Sequence, residues 1–126
     1  MRHFVLVCLA GAAGTGARFA LATGVAALVG TRLPYGTILV NLIGSFAIGV
    51  VVQLAAAGEL LSPATRTILT TGFLGGFTTY SAFNHDTVAF LQQDLWGRAF
   101  TNVAITLAGC LVAGFAGVAA ARRFAA

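Results

Sequence analysis

The chain has 126 residues, 59% of them hydrophobic and 8% charged, where soluble domains carry about a quarter of charged residues. That balance excludes a water-soluble globular fold and leaves a single domain embedded in lipid. All seven cationic side chains are arginines, placed singly except for Arg122-Arg123, so the basic charge reflects a shortage of acids rather than the dense cationic face of a nucleic-acid binder, and no nucleic-acid partner is expected.

Four stretches reach the roughly 20 apolar residues that a spanning helix needs: residues 4–29, 35–57, 66–91 and 97–121. The start of the first, MRHFVLVCLAGAAG, has the basic opening and apolar run of a signal peptide. The run continues past Arg18 to about Gly30, too long for a cleaved leader, so this stretch is read as a retained span. Gly11, Gly14 and Gly16 allow neighbouring helices to come close, and Arg18 is an ionisable group inside a span, which faces a cavity or a partner by default.

After the turn Thr31-Arg32-Leu33-Pro34, with proline suited to a first helical turn, the second span carries Asn41, an amide that lipid cannot satisfy, and the small-xxx-small pair Ser45/Gly49. The connection from Gly58 to Pro63 holds Glu59 in a loop. The third span contains TTGFLGGFTTYSAFNHD, residues 70–86, with two adjacent glycines, four threonines, a serine, an asparagine, a histidine and an aspartate. Irregular backbone is tolerated at membrane depth only where protein buries it or a pathway runs beside it. The span centres near Thr78, just after Gly75-Gly76, which places a break at the midplane. Two readings stay open there: a kink that serves packing, or exposed carbonyls suited to a hard cation such as Na⁺. Tyr80 and Phe83 follow at i, i+3 spacing, either as a packing stripe or as ring edges facing an anion. His85-Asp86 is a solvated helix end or a proton relay.

Residues 92–96, including Asp94, form the last turn, with Trp96 and Tyr35 as interfacial aromatics on one side. In the fourth span Asn102, Thr106 and Cys110 lie at i, i+4 and i+8, hence on one helical face. Each has a hydrogen to donate, although hydroxyl and thiol groups often bond their own helix carbonyl. Cys8 and Cys110 are isolated, which signals neither a metal site nor a redox pair. Four spans put both termini on one side with Arg2, Arg66, Arg122 and Arg123, against Arg32 and Arg98 on the other. So small a bias specifies orientation weakly, and a dual-topology chain forming an antiparallel homodimer fits it.

With these residues assembled, the chain resembles the Fluc (CrcB) family of small fluoride channels over nearly its whole length. The resemblance rests on Gly16-Ala17-Arg18-Phe19, PYGTILVNLIGSFAIG with Asn41, GFLGGFTTYSAFNHDT, and a fourth span rich in small residues. It implies an all-α, multi-pass protein of the bacterial inner membrane, an antiparallel dual-topology homodimer that lets fluoride leave the cytoplasm passively through two pores. It also implies a central structural Na⁺ held by the backbone carbonyls of Gly75 and Thr78 from both subunits. Asn41 matches the pore asparagine, Tyr80 and Phe83 the aromatics whose edges face fluoride, Asn102, Thr106 and Cys110 the polar track, and Arg18 the vestibule arginine; Thr79 and Ser81 belong to the same pathway motif. Tyr80 stands where Phe is usual, Asp86 where Glu is, and Asn102 and Cys110 where Tyr and Ser are often found. The alternative is a proton-coupled exporter of the small multidrug type, but such proteins depend on a carboxylate in the first span, where this chain has Arg18 and no acid. A nucleophile–base pair, phosphate loop or metal cluster that would indicate an enzyme is not found in the sequence.

Overall fold

A computed structural model describes residues 1–57 and 61–125; Glu59, expected in a loop, lies outside them. The described residues form helices and short connections. Helix α1 spans Arg2–Val29, α2 Tyr35–Ala56 and α6 Trp96–Ala125. These three contain the stretches long and apolar enough to cross a membrane. At 28, 22 and 30 residues, each exceeds the roughly 30 Å of a hydrocarbon core at 1.5 Å per residue. Compared with the expected stretches, α1 begins two residues earlier and α6 runs four residues further.

The third expected span, residues 66–91, is not one continuous helix. Helix α3, Pro63–Thr67, starts at a Ser62 cap whose hydroxyl accepts from Thr65 N at 3.1 Å, with Pro63 in the first turn. It passes into seven residues of π-helix, Ile68–Leu74, then the three residues of α4, Gly75–Phe77, and resumes as α5, Tyr80–Gln92, after an interruption at Thr78 and Thr79. Wide π turns are rare and gather at functional sites; here Gly75 N donates back to the carbonyl of Thr70, five residues earlier. Pro34, expected in a first helical turn, instead caps α2 from just outside it.

Packing joins segments far apart in sequence. α2 lies parallel to α6, with Leu42 beside Gly109, Gly49 beside Gly114 and Gln53 beside Arg122, while α1 lies parallel to the π segment and α4 through Val7, Gly11 and Gly14. The glycine pair Gly75-Gly76 does not break the chain: Gly75 has φ −63° and ψ −36°, ordinary helical values. Gly76 is required for closeness, since a Cβ there would land on the Gly11 carbonyl oxygen. On the other pair, a Cβ at Gly117 would strike the carbonyl oxygen of Phe46. Among the described residues only Val40 and Asn102 are large side chains buried completely, whereas Phe4, Leu9, Phe19, Phe100, Leu111 and Phe115 face outward. An apolar exterior over a core of small residues is the arrangement expected when lipid, not water, surrounds the protein.

The α2–α6 crossing therefore depends on Gly117. Gly117→Ala is expected to lower stability by about 1–3 kcal/mol through forced backbone displacement. Gly24→Ala, which meets nothing within 4 Å, should be neutral or slightly stabilising. Thermal unfolding of the two purified variants in detergent distinguishes these outcomes.

Candidate functional site

The interruption of the third segment is built by side chains that replace the lost helical bonds. Thr78 (φ −80°, ψ 159°) and Thr79 (φ −154°, ψ 110°) are extended, a conformation that suits β-branched residues. Thr78 closes the preceding helix, its amide and its hydroxyl both donating to Leu74 O at 2.9 Å. Thr79 opens the next, its hydroxyl accepting from Ala82 N at 3.2 Å and sharing a hydrogen bond with Ser81 Oγ at 3.2 Å.

Asn41 of α2 locks this arrangement. Its Oδ1 accepts from Thr79 N at 2.8 Å, and its Nδ2 donates to Thr79 O at 3.0 Å. Both residues are buried, each with 8% of its surface exposed. Each group left unpaired there would cost about 1–3 kcal/mol, so one amide side chain makes an extended residue tolerable in an apolar interior. Gly44, one turn further along α2, leaves room for the break, because a Cβ there would collide with Thr78 Cγ2.

These bonds release two carbonyls. In an α-helix the oxygen of Gly75 would accept from Thr79 N and that of Thr78 from Ala82 N. Both amides donate elsewhere, to Asn41 Oδ1 and Thr79 Oγ1. Gly75 and Thr78 both line a groove of about 810 Å³ between α2, the third segment and α6. Two uncommitted backbone oxygens, with no neighbouring charge required, are a donor set suited to a hard monovalent cation. Among the described residues no group of three His, Cys, Asp or Glu side chains could hold a metal.

Of the remaining expected residues, Asn41, Thr79, Tyr80, Phe83, Thr106 and Cys110 also line the groove, whereas Asn102, Ser81 and Arg18 do not. Phe83 is buried with 6% exposed and Tyr80 is 74% exposed; their centroids are 5.5 Å apart at 55°. The pair is tilted, so ring edges and not only faces are presented. Cys110 is half-buried and its thiol is free. Asn102, expected along a pathway, is fully buried and ties α6 to α5, its Nδ2 donating to Thr87 Oγ1 at 2.9 Å. Arg18 is half-buried on α1.

A second cleft of about 300 Å³ at the other end of α2 contains Thr37 and Asp86. Thr37 Oγ1 donates to Asp86 Oδ2 at 3.4 Å, and His85 Nδ1 lies 3.5 Å from Asp86 Oδ1 with its side chain 81% exposed. His85 and Asp86 sit in the middle of α5, Tyr80–Gln92, and not at its end, so the expected helix end is corrected to an exposed mid-helix position for His85. Thr37, Gly44 and Thr87 escape sequence reasoning because a threonine or glycine in an apolar run looks like packing. The signal that marks two of them is spacing, since Thr37 and Gly44 stand four residues before and three after Asn41, on its own helical face.

The sequence matches the family model described as CrcB-like protein, Camphor Resistance (CrcB), over residues 5–118. It is 47% identical over 123 residues to the fluoride-specific ion channel FluC of Sorangium cellulosum, covering 98% of this chain and 97% of that one. To the protein of the same name from Geobacter sulfurreducens it is 43% identical, covering 98% and 99% of the two chains. To that of Anaeromyxobacter sp. strain K it is 40% identical, covering 92% of each.

The Asn41–Thr79 pairing makes a definite demand on stability. Asn41→Leu, which fills the space but strands a buried N–H and C=O, is expected to cost about 2–5 kcal/mol. Thr79→Ala, which removes the cap on α5, should cost about 1 kcal/mol, with Thr79→Ser close to the parent. Denaturation by SDS of the detergent-solubilised protein measures all three.

Proposed function

The chain belongs to the CrcB-like family of membrane proteins, and from that membership we propose that it is a passive, fluoride-selective channel through which fluoride leaves the cytoplasm. Relatives covering nearly the whole chain carry the name of fluoride-specific ion channel, which is also what sets enzymatic readings aside. The observation that carries the proposal is the buried Asn41–Thr79 clamp. It supports a permanently broken segment beside a mainly apolar groove whose few polar groups, among them Asn41, Thr79, Tyr80 and Cys110, are neutral.

Fluoride is small and strongly hydrated, so a selective route has to supply several donors at short range without binding too tightly for release. The hydroxyl of Tyr80, the thiol of Cys110, the second amide hydrogen of Asn41 and the ring edges of Tyr80 and Phe83 are donors of that moderate strength. Arg18, a full positive charge, serves best at an entrance, where it concentrates anions without trapping them. Asp86 keeps its carboxylate on Thr37, in the second cleft and away from the groove.

The broken third segment supplies the fourth crossing, with its interruption near the midplane. The groove is open along one side in a single copy, and in our reading a second copy in antiparallel orientation closes it, giving two pores per dimer in a bacterial inner membrane. The released carbonyls of Gly75 and Thr78, from both copies, would hold a Na⁺ at the centre. When bound, that ion supplies a fixed positive field and a tie between the two broken segments. The weak arginine bias between the two ends is compatible with insertion in both orientations.

Liposomes containing the purified protein are expected to release fluoride rapidly and chloride negligibly, with no protons moved in fixed ratio. Proton movement in strict proportion to fluoride would favour the coupled exporter instead. Asn41→Asp, which sets a second acidic oxygen against the Thr79 carbonyl and presents an anion to an anion, should abolish flux. Robust fluoride release through that variant would contradict the role given to Asn41.

A further inference from the structure

Asn102 and Thr106 stand one turn apart on α6, Asn102 with none of its surface exposed and Thr106 with 6%. Asn102 Nδ2 donates to Thr87 Oγ1 at 2.9 Å, and Thr87 passes its own hydrogen to Phe83 O at 2.8 Å. The direction of that chain fixes the amide: its nitrogen faces Thr87 and its oxygen faces away. Neither Asn102 Oδ1 nor Thr106 Oγ1 has a hydrogen-bond partner among the described residues. Thr106 also lacks a bond that many threonines of this chain make. Thr67, Thr70, Thr78, Thr87 and Thr101 each turn their hydroxyl onto the carbonyl four residues earlier, the habitual bond of a helical threonine, and Thr106 does not.

We infer that Asn102 Oδ1 and Thr106 Oγ1 together hold one resident water molecule, and that this water, rather than the amide, is what α6 presents to the permeating anion. The inference rests on the channel reading above. An amide oxygen accepts hydrogen bonds only, so an anion set against it would meet repulsion. A molecule that both donates and accepts is needed. Water donates one hydrogen to Asn102 Oδ1, accepts one from Thr106 Oγ1, and keeps a second hydrogen to donate. Residues at i, i+4 are neighbours on one helical face, and a single water oxygen bonds two partners at about 2.8 Å when their oxygens stand about 4.5 Å apart. Buried waters typically make about three hydrogen bonds, and the third points towards the groove that Thr106 lines together with Phe83 and Asn41. The site thus converts an acceptor into a donor, and the anion keeps one water contact where the chain carries Asn102.

The test combines crystals of the full-length protein, grown with and without fluoride, and efflux from liposomes. A density peak within hydrogen-bond distance of both Asn102 Oδ1 and Thr106 Oγ1 is expected in both crystals. Thr106→Val, nearly isosteric but without the hydroxyl, should lose the peak and slow fluoride release about tenfold, one hydrogen bond's worth of barrier. Thr106→Ser should restore most of the rate and the peak. Three results would each overturn the water site: a peak that appears only with fluoride, which would make it an ion site; no peak in either crystal; or Thr106→Val releasing fluoride at the parent rate. A parent protein that carries no fluoride at all, yet shows the peak without fluoride, would instead overturn the channel reading.

Discussion

Lipid forbids an unpaired backbone, and the molecule is organised around one local solution to that prohibition. The amide of Asn41 takes both the N–H and the C=O of Thr79, so an extended residue survives inside an apolar body. Everything that distinguishes the third segment from an ordinary span depends on that exchange. The break frees the carbonyls of Gly75 and Thr78, sets Thr79 to cap α5 and turns Tyr80 and Phe83 towards the groove. Without the exchange the chain would be driven back towards continuous helix, because several kcal/mol per orphaned group is more than an isolated span can absorb.

The groove is also notable for what its chemistry leaves out. Its lining is mostly aliphatic and aromatic, with glycines, hydroxyls, one amide and one thiol between, and no ionisable carboxylate or ammonium is among them. Charged groups sit elsewhere: Asp86 is engaged by Thr37, Arg122 Nε lies 3.4 Å from Gln53 Oε1, and Arg18 is on the far helix. On the proposed channel reading, a passage that works by several weak donors is sensitive to polarity reversal at any one of them.

Long apolar runs made α1, α2 and α6 legible, since length and hydropathy alone decide them. Asn41 stood out too, because an amide in an apolar run has to find a partner, but sequence could not say that the partner was a backbone unit 38 residues away. The glycine pair was informative for the wrong reason. Gly75-Gly76 reads as a breaker, yet both are helical and Gly76 is needed for contact with Gly11, whereas the interruption falls at two threonines whose extended state is imposed by tertiary bonds. The π-helix of Ile68–Leu74 was not legible at all, because no residue in it differs in type from those of a normal turn. Asn102 and Thr106 were correctly placed on one face, but the amide's orientation depends on Thr87, a residue that looks like simple packing.

The pairing of α1 with the π segment and α4, and of α2 with α6, interleaves early and late parts of the chain. During synthesis the first two helices enter the membrane before either has its main partner, in contact with each other where Ala22 closely approaches Gly36. Their orientation is therefore decided while the tertiary structure does not yet exist, and assembly is complete only when the last helix leaves the ribosome. A nascent chain of this design commits to a direction first and acquires its architecture afterwards.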